Sequence, residues 1–195
     1  MRKHEKHKAI AIPVSCTDDK LLRFLTVRDR RYGEWTFVTG GCRKGEIINP
    51  LRCALRELEE ETRGTVNLKE GHYSYFNFVY SPSSSLGKTD DITYHVYILE
   101  FNIPKYEETK LINKFNIAKS KLEKLKELNL PIKLVYDEND VMNFETLSEF
   151  KSRGNTVWEL IRKNILENPN FYKALSSERQ FFNINNNNND SKQSI

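Results

Sequence analysis

The stretch that decides the fold is GGCRKGEIINPLRCALRELEEETRG, which runs from Gly40 to Gly64. A short β-like segment precedes the double glycine, and a helical pattern follows it from about Asn49. Asparagine is a preferred N-cap, proline is favoured at the first helical position, and glycine is favoured just past a helix end. Asn49, Pro50 and Gly64 occupy those three places. The stretch therefore predicts a glycine turn that leads into a helix over residues 49–63.

This helix carries a concentration of acid on one side. At 100° per residue, Glu57, Glu60 and Glu61 fall within an arc of about 100°, which we call the acidic face. A neighbouring arc is apolar and can face a core; it consists of Leu51, Ala54, Leu55 and Leu58. The acidic face must then lie at the edge of the packed surface, where a cleft can form.

Like charges at this spacing repel one another, so a cation should occupy the acidic face. Arg56 lies four residues before Glu60 and can orient it, but one guanidinium cannot neutralise three carboxylates. Hard divalent cations can, and Mg²⁺ binds oxygen ligands while keeping coordination sites for water and substrate phosphates. Bound ions of this kind lower the pKa of a water ligand. The chemistry indicated is attack of water on phosphorus.

A solvated glutamate-rich helix is the common alternative, and the acid content alone would favour it. The residues upstream favour a metal site instead, because Gly40-Gly41, Glu46 and Arg56 stand in near-register with a known motif. The segment resembles the Nudix box, G-x5-E-x7-R-E-U-x-E-E-x-G-U, in which U is a bulky apolar residue. The matching residues are Gly40, Glu46, Arg56, Glu57, Leu58, Glu60 and Glu61.

The resemblance implies a role for each part of the motif. The three glutamates of the acidic face would bind Mg²⁺ or Mn²⁺, and a backbone carbonyl of Gly40 or Gly41 would add a ligand. Arg56 would hold a glutamate in place. Glu46 would brace the loop against the helix.

Two departures from the motif bear on that expectation. Nine residues rather than seven separate Glu46 from Arg56, and a longer loop is tolerable if it bulges outward because closure entropy grows slowly with length. Arg63 stands where the family usually has glycine, with Gly64 one place later. Neither change removes a proposed metal ligand, so we expect activity to survive.

The segments on either side of the motif predict a series of strands and helices. We expect strands at residues 8–15, 21–28, 35–38, 72–80, 92–101 and 140–144, and helices at 105–129, 147–151 and 156–166. This order predicts an α/β (α+β) fold, a Nudix-like α/β/α sandwich with a mixed sheet between helices. We expect one domain over residues 1–180 with a helical insertion near 105–130, and an Asn-rich disordered tail over residues 181–195.

Two further groups of residues are candidates for the site. Family members often place another acid before a late strand, as a base or extra ligand, and Glu138 and Asp140 are the candidates; a charged turn is the alternative. Trp35, Phe76 and Tyr80 could stack on a nucleobase. Because alternate strand positions must face inward, a core role is the alternative for these aromatic residues.

These features indicate a divalent-metal-dependent hydrolase that cleaves a phosphoanhydride bond in a nucleoside diphosphate linked to another group. The phrases GGCRKGE and RELEEETRG resemble Nudix proteins of large DNA viruses, which include mRNA-decapping enzymes. An ADP-ribose or dinucleotide pyrophosphatase is one alternative, and an inactive Nudix module that binds a nucleotide or RNA is another. The expected partner is a nucleotide-type small molecule or a capped RNA, and no stable protein partner can be inferred.

Composition adds limits on location. The net charge of +4 would raise the local concentration of phosphate-bearing substrates, or only aid solubility. The three cysteines have no CxxC spacing, which disfavours a zinc site or a disulfide framework. No run approaches the roughly 18 apolar residues of a membrane helix, and the start of the sequence lacks the pattern of a signal peptide. We expect a cytoplasmic protein that does not engage a membrane.

Overall fold

The computed structural model describes residues 6–16, 21–69, 71–82 and 90–176, and the strands in these ranges form one sheet. The strands are β1 (Lys6–Cys16), β2 (Leu22–Asp29), β3 (Trp35–Thr36), β4 (Val38–Gly41), β5 (Tyr73–Tyr80), β6 (Ile92–Glu100) and β7 (Asn139–Thr146). The helices are α1 (Pro50–Glu61), α2 (Lys105–Glu127), α3 (Leu147–Ser152), α4 (Glu159–Ile161) with a π-helical continuation (Arg162–Leu166), and α5 (169–176).

β1 is the centre of the sheet because it pairs along both edges. On one edge it runs parallel to β6, with Lys6 opposite Ile92. On the other edge it is antiparallel to two strands in succession, β4 over residues 8–11 and β2 over residues 14–16. β5 pairs with β6, and β3 and β7 pair with β2, all antiparallel. The sheet is therefore mixed, and it forks where β4 and β2 occupy different halves of one edge of β1.

Side chains alternate along β1 between two cores. Ile10 and Ile12 pack into a core that contains residues of α3, α4 and α5. Ala9 and Ala11 face the second core, which contains residues of α1 and α2, and their small side chains leave room for a closely packed helix. Helices thus cover both faces of a mixed sheet, which confirms the predicted α/β/α fold class.

The C-terminal helices differ from the sequence prediction. Instead of one helix over residues 156–166, a 3-10 turn at Gly154–Thr156 is followed by α4, which begins at Glu159. The helix starts later than predicted because Val157 forms a parallel bridge with Trp35 and the N–H of Trp158 donates to the carbonyl of Trp35 at 2.9 Å. α5 then follows as an additional helix that the sequence pattern does not predict.

The predicted strand at residues 35–38 is divided in the structure. Trp35 and Thr36 pair with β2, whereas Val38 begins β4 and pairs with β1. The pairing partner changes within a few residues because the chain crosses the fork of the sheet here.

α2 lies between β6 and β7 in the chain, at the place of the expected helical insertion. The expected tail over residues 181–195 lies outside the described residues. None of the helices in the described ranges combines the length and the apolar content that a membrane span needs.

Candidate active site

The acidic face of α1 lies against the end of β4. Glu57 is only 9% exposed, and its carboxylate rests against Gly40. A Cβ atom on Gly40 would come within 1.9 Å of the Glu57 carboxylate carbon, whereas a Cβ atom on Gly41 would meet nothing within 4 Å. Glycine at position 40 therefore makes the room that the Glu57 carboxylate fills.

Glu61 is buried below the same face. The main-chain N–H of Thr39 donates to Glu61 Oε1 (3.3 Å), and Asn139 Nδ2 donates to Glu61 Oε2 (2.8 Å). Thr39 belongs to β4 and Asn139 begins β7. Glu61 therefore joins α1 to two strands at once.

Arg56 connects the acidic face to the loop before α1. Its guanidinium donates two hydrogen bonds to Glu46, at 2.7 and 2.9 Å, and one to Glu60 at 2.7 Å. It also donates to the Gly41 carbonyl (3.0 Å) and lies 2.8 Å from Glu57 Oε1. The hydrogen bonds from Arg56 lower the pKa of Glu46 to about 2. Arg56 and Glu46 thus tie the loop to the helix.

The longer spacing between Glu46 and Arg56 is accommodated at the surface. Glu46 ends a 3-10 turn (Lys44–Glu46), and the residues that follow lead outward to the start of α1. The side chain of Ile48 is 91% exposed. Because Glu46 still reaches Arg56, the longer loop does not interrupt the network.

Arg63, at the glycine position of the motif, adopts a left-handed backbone conformation of the kind that glycine favours. Its φ is +56°, and Gly64 follows with φ +70°. The N–H of Gly64 donates to the carbonyl of Glu59 (2.7 Å), a pattern that ends many helices. A left-handed residue other than glycine costs roughly 1–2 kcal/mol. The departure therefore changes the side chain but keeps the helix end.

The carboxylates of this region repel one another. Burial raises the pKa of Glu57, and the nearby charges of Glu60 and Glu138 raise it further. Burial also raises the pKa of Glu61 well above its usual value, and Glu57 and Glu138 add to this effect. The pKa of Glu138 is raised by burial and by the charge of Glu60. A cation placed among these side chains would relieve the repulsion.

The donor set suits a hard divalent cation, because carboxylate oxygens are the ligands that Mg²⁺ and Mn²⁺ prefer. Within the described ranges, no three His, Cys, Asp or Glu side chains are grouped so as to hold one ion. The carboxylates are instead held by arginine and asparagine: Arg43 donates to Glu60 at 3.1 Å, in addition to the bonds from Arg56 and Asn139. The residues therefore fit a divalent ion by chemistry and by charge.

Glu138 and Asp140 have different surroundings. Glu138 lines a cleft together with Glu61. Asp140 is held by Arg28, which donates to both carboxylate oxygens at 2.9 and 2.7 Å and lowers the pKa of Asp140. The described lining of the cleft includes Glu138 but not Asp140. Of the two predicted acids, the structure brings Glu138 to the acidic face.

The cleft has a volume of about 390 Å³ and opens at the fork of the sheet. Lys8 on β1, Thr36 on β3 and Thr39 on β4 line it, together with Glu61 and Asn139. The remaining lining residues in the described ranges are Asp29, Tyr32, Glu34, Glu138 and Trp158. The buried end of the acidic face therefore borders a space large enough for part of a nucleotide.

The aromatic residues of the cleft are not those that the sequence predicts. The Trp35 ring packs against the core and lies 3.6 Å from the guanidinium of Arg153. Phe76 is buried in that core, and Tyr80 is partly exposed on the edge strand β5 with its ring against Tyr94. None of Trp35, Phe76 and Tyr80 belongs to the described lining of the cleft, because strand alternation and pairing direct them elsewhere.

Tyr32 and Trp158 are aromatic residues of the described cleft lining. Tyr32 lies in a turn that Asp29 forms by accepting from the N–H groups of Arg31 and Tyr32, both at 2.7 Å. Gly33 completes the turn with φ +69°. An aromatic residue in a polar turn was the available signal for Tyr32, whereas only the tertiary fold brings Trp158 to the cleft.

A family model described as NUDIX domain matches residues 5–142, which is most of the chain. The chain therefore belongs to the Nudix family, as the motif between Gly40 and Gly64 indicates. Membership supports, in general terms, a hydrolase that acts on pyrophosphate bonds. Family members generally use divalent metals.

Several solved structures are similar to the chain at low sequence identity. The NUDIX domain of Shewanella oneidensis NrtR complexed with ADP ribose is 11% identical with a TM-score of 0.48, over 77% of this chain and 79% of that chain. A C. elegans Ap4A hydrolase binary complex is 12% identical with a TM-score of 0.49, over 77% and 86%. A NUDIX hydrolase from Nitrosomonas europaea is 12% identical with a TM-score of 0.46, over 90% and 89%. No curated protein matches the chain.

Proposed function

We propose that the protein is a divalent-metal-dependent hydrolase that cleaves a phosphoanhydride bond in a nucleoside diphosphate linked to another group. The observation that carries this proposal is the position of Glu57, Glu60, Glu61 and Glu138. The charge of Glu60 helps to raise the pKa of Glu57 and of Glu138, and the charges of Glu57 and Glu138 help to raise the pKa of Glu61. Glu61 and Glu138 line a cleft large enough for part of a nucleotide. A solvated acidic helix would not bury two of its glutamates against a strand end.

Each side chain takes a defined role in this proposal. The glutamates of the acidic face and the Gly40 carbonyl hold Mg²⁺ or Mn²⁺, and Arg56 orients Glu60. When bound, the ion neutralises phosphate charge and lowers the pKa of a water. Glu138 accepts the proton of the attacking water at a carboxylate oxygen, for which its raised pKa makes it a better base. Asp140 has no part in proton transfer, because Arg28 holds its pKa low.

The cleft favours a capped RNA over ADP-ribose as the substrate. Tyr32 and Trp158 contribute aromatic rings to the lining, and Asp29 and Glu34 add carboxylates to it. A positively charged base stacks well on aromatic rings and is attracted by carboxylates. The 7-methylguanine of an mRNA cap carries such a charge and has N–H donors that a carboxylate can accept. Neutral adenine offers less to this lining, and Lys8 remains available for a phosphate.

The proposal is tested by incubating the purified protein with Mg²⁺ or Mn²⁺ and cap-labelled RNA, ADP-ribose or diadenosine polyphosphates. We expect release of a nucleoside diphosphate from capped RNA, and loss of this activity in Glu60→Gln. Glu59→Gln is the matched control, since Glu59 projects from the opposite side of α1, and it should retain the activity.

The outcomes of this assay distinguish a capped-RNA hydrolase from another pyrophosphatase and from an inactive binding module. Cleavage of ADP-ribose or a dinucleotide in place of capped RNA would keep the hydrolase and reject the cap as substrate. The unmodified protein could instead bind one of these substrates and cleave none of them with either metal. In that case an inactive binding module explains the site better.

A further inference from the structure

Arg63, at the glycine position of the motif, reaches from the end of α1 to α2. Its guanidinium carbon lies 4.1 Å from the ring centre of Phe115, a fully buried residue of α2. Its Nε and Nη1 atoms are buried and have no hydrogen-bond partner among the described residues. Burial, ahead of the charge of Arg30, lowers the pKa of Arg63 to about 10. The side chain is therefore charged near neutral pH but largely removed from water.

Glycine would avoid both unfavourable features of Arg63. It adopts a φ of +56° without strain, and it has no polar atoms to bury. Residues held in strained conformations persist where surrounding contacts compensate them, and such residues concentrate at functional sites. The contacts of Arg63 are therefore informative about its role.

The main contact of Arg63 is the backbone at the start of β7. Arg63 Nη2 donates to the carbonyl of Asn139, and the main-chain N–H of Arg30 donates to the carbonyl of Glu138 at 2.8 Å. Two consecutive carbonyls are thus held by separate parts of the chain. The Asn139 side chain donates in turn to Glu61. Arg63 therefore acts one residue away from Glu138 and one hydrogen bond away from Glu61.

We propose that Arg63 is a positioning residue. Held against Phe115 of α2, it fixes the backbone of Asn139, so that Asn139 orients Glu61 and Glu138 stays in the cleft. This inference rests on the proposed function, because Glu61 and Glu138 matter only if the site binds metal and hydrolyses a substrate. Through its contact with Arg63, α2 helps to orient the carboxylates although it lies outside the motif.

The test compares Arg63→Gly, Arg63→Lys and a control, Phe171→Leu. Glycine at position 63 preserves the left-handed helix end without a side chain. Lysine preserves the positive charge and an N–H donor but lacks the planar guanidinium. Phe171 is buried in the core on the opposite face of the sheet. Calorimetric titration with Mn²⁺ alone measures affinity in the substrate-free protein, and hydrogen exchange measures protection of residues 137–141. Partners that orient metal ligands typically change affinity or activity by roughly 10- to 100-fold.

We expect Arg63→Gly to weaken Mn²⁺ binding about tenfold, to speed exchange over residues 137–141, and to lower kcat more than it raises KM. Arg63→Lys should recover part of each loss. Phe171→Leu should lower the melting temperature without changing Mn²⁺ affinity. It should not lower kcat more than it raises KM.

Unchanged Mn²⁺ affinity and unchanged exchange in Arg63→Gly would overturn the proposal. Equal losses in Phe171→Leu would also overturn it, because they would show that general instability is sufficient. A lack of hydrolysis by the unmodified protein would count against the proposed function instead, and the exchange measurement would still decide whether Arg63 fixes the backbone of Asn139.

Discussion

At the scale of single residues, the space at Gly40 controls where the Glu57 carboxylate lies. In Gly40→Ala, the new Cβ atom would overlap that carboxylate, which is the flexible end of a side chain and can move aside. We expect hydrolysis to fall roughly 100-fold, since a displacement of about 1 Å can cost that much, while the melting temperature stays nearly unchanged. Steady-state rates and thermal unfolding measure the two effects.

Gly41→Ala is the matched control, because a Cβ atom there meets nothing within 4 Å. It should retain activity, and its carbonyl remains available to Arg56. Equal losses in the two variants would show that the loop, rather than the position of Glu57, limits the rate.

The lowered pKa of Glu46 predicts how the free energy of unfolding depends on pH. Its pKa in the folded protein is about 2, below the usual value of 4.5, because Arg56 donates to its carboxylate. A lowered pKa contributes stability that is present above the usual value and is lost as the pH falls through the folded value. Glu46→Gln should therefore lower the free energy of unfolding at pH 7, by about 1.5–3 kcal/mol.

The difference between Glu46→Gln and the unmodified protein should shrink as the pH falls from 4.5 to about 2. Urea unfolding at a series of pH values measures it. A difference that stays constant over this range would mean that the carboxylate charge does not stabilise the loop.

Positions set by spacing within α1 could be predicted from the sequence, and the resemblance to the family also pointed to Glu138 before β7, whereas contacts that depend on the packing of other elements could not be predicted. The helical period places Glu57, Glu60 and Glu61 on one face. The contact of Arg63 with Phe115 depends instead on how α2 packs, and the local sequence carries no signal for it.

At the scale of elements, a buried ion pair fastens the start of α2 to the sheet. Arg23 on β2 donates to Glu108 on α2 at 2.8 Å, and the two side chains are 18% and 4% exposed. Removing one partner of a buried pair costs about 3–5 kcal/mol, because the other charge loses its hydrogen-bonded counter-ion. Arg23→Leu should therefore destabilise the protein by about that amount in urea unfolding.

Replacing both partners of this pair should restore much of the loss, because Leu at both positions leaves no buried charge. The variant Arg23→Leu/Glu108→Leu provides that comparison. If the double variant is as unstable as Arg23→Leu alone, packing around Arg23 rather than its charge fastens α2.

Element boundaries were predictable where the signals are local. Asn49, Pro50 and Gly64 bracket α1 in the sequence, and the helix lies between them. The division between β3 and β4 is different, because it depends on which neighbouring strand each residue pairs with. The late start of α4 is of the same kind, because it depends on the pairing of Val157 with Trp35, which is distant in the sequence.

At the scale of the whole molecule, the cleft exists because distant parts of the chain meet at the fork of the sheet. Its described lining comes from β1, the end of β2 and the turn after it, β3, β4, the end of α1, the start of β7 and the residue before α4. The motif predicted the carboxylates, which lie close together in sequence. It could not predict Tyr32 or Trp158, since substrate-facing walls are set by tertiary packing.

Tyr32→Ala tests the aromatic wall of the cleft. Tyr32 is 68% exposed, so its loss should leave stability unchanged. Stacking contributes about 1–3 kcal/mol per base, so we expect KM to rise roughly 5- to 150-fold with kcat little changed. Steady-state kinetics on the cleaved substrate measures both constants.

Tyr80→Ala is the control for a tyrosine outside the cleft, and it should leave KM unchanged. An equal rise in KM for both variants, or no rise for Tyr32→Ala, would contradict recognition of a base by Tyr32.

The parallel pairing of β1 with β6 sets the order in which the chain can fold. Lys6 lies opposite Ile92, so the strands can meet only after the intervening segment, with all of α1, has closed into a loop. Such distant pairings form slowly because loop entropy is lost before contacts are gained, whereas a helix forms within about a microsecond. A helix as short as the 12 residues of α1 is only marginally stable alone, so its lasting formation depends on packing against the sheet. The cleft beside the acidic face is therefore completed only after strands that are far apart in the sequence have paired.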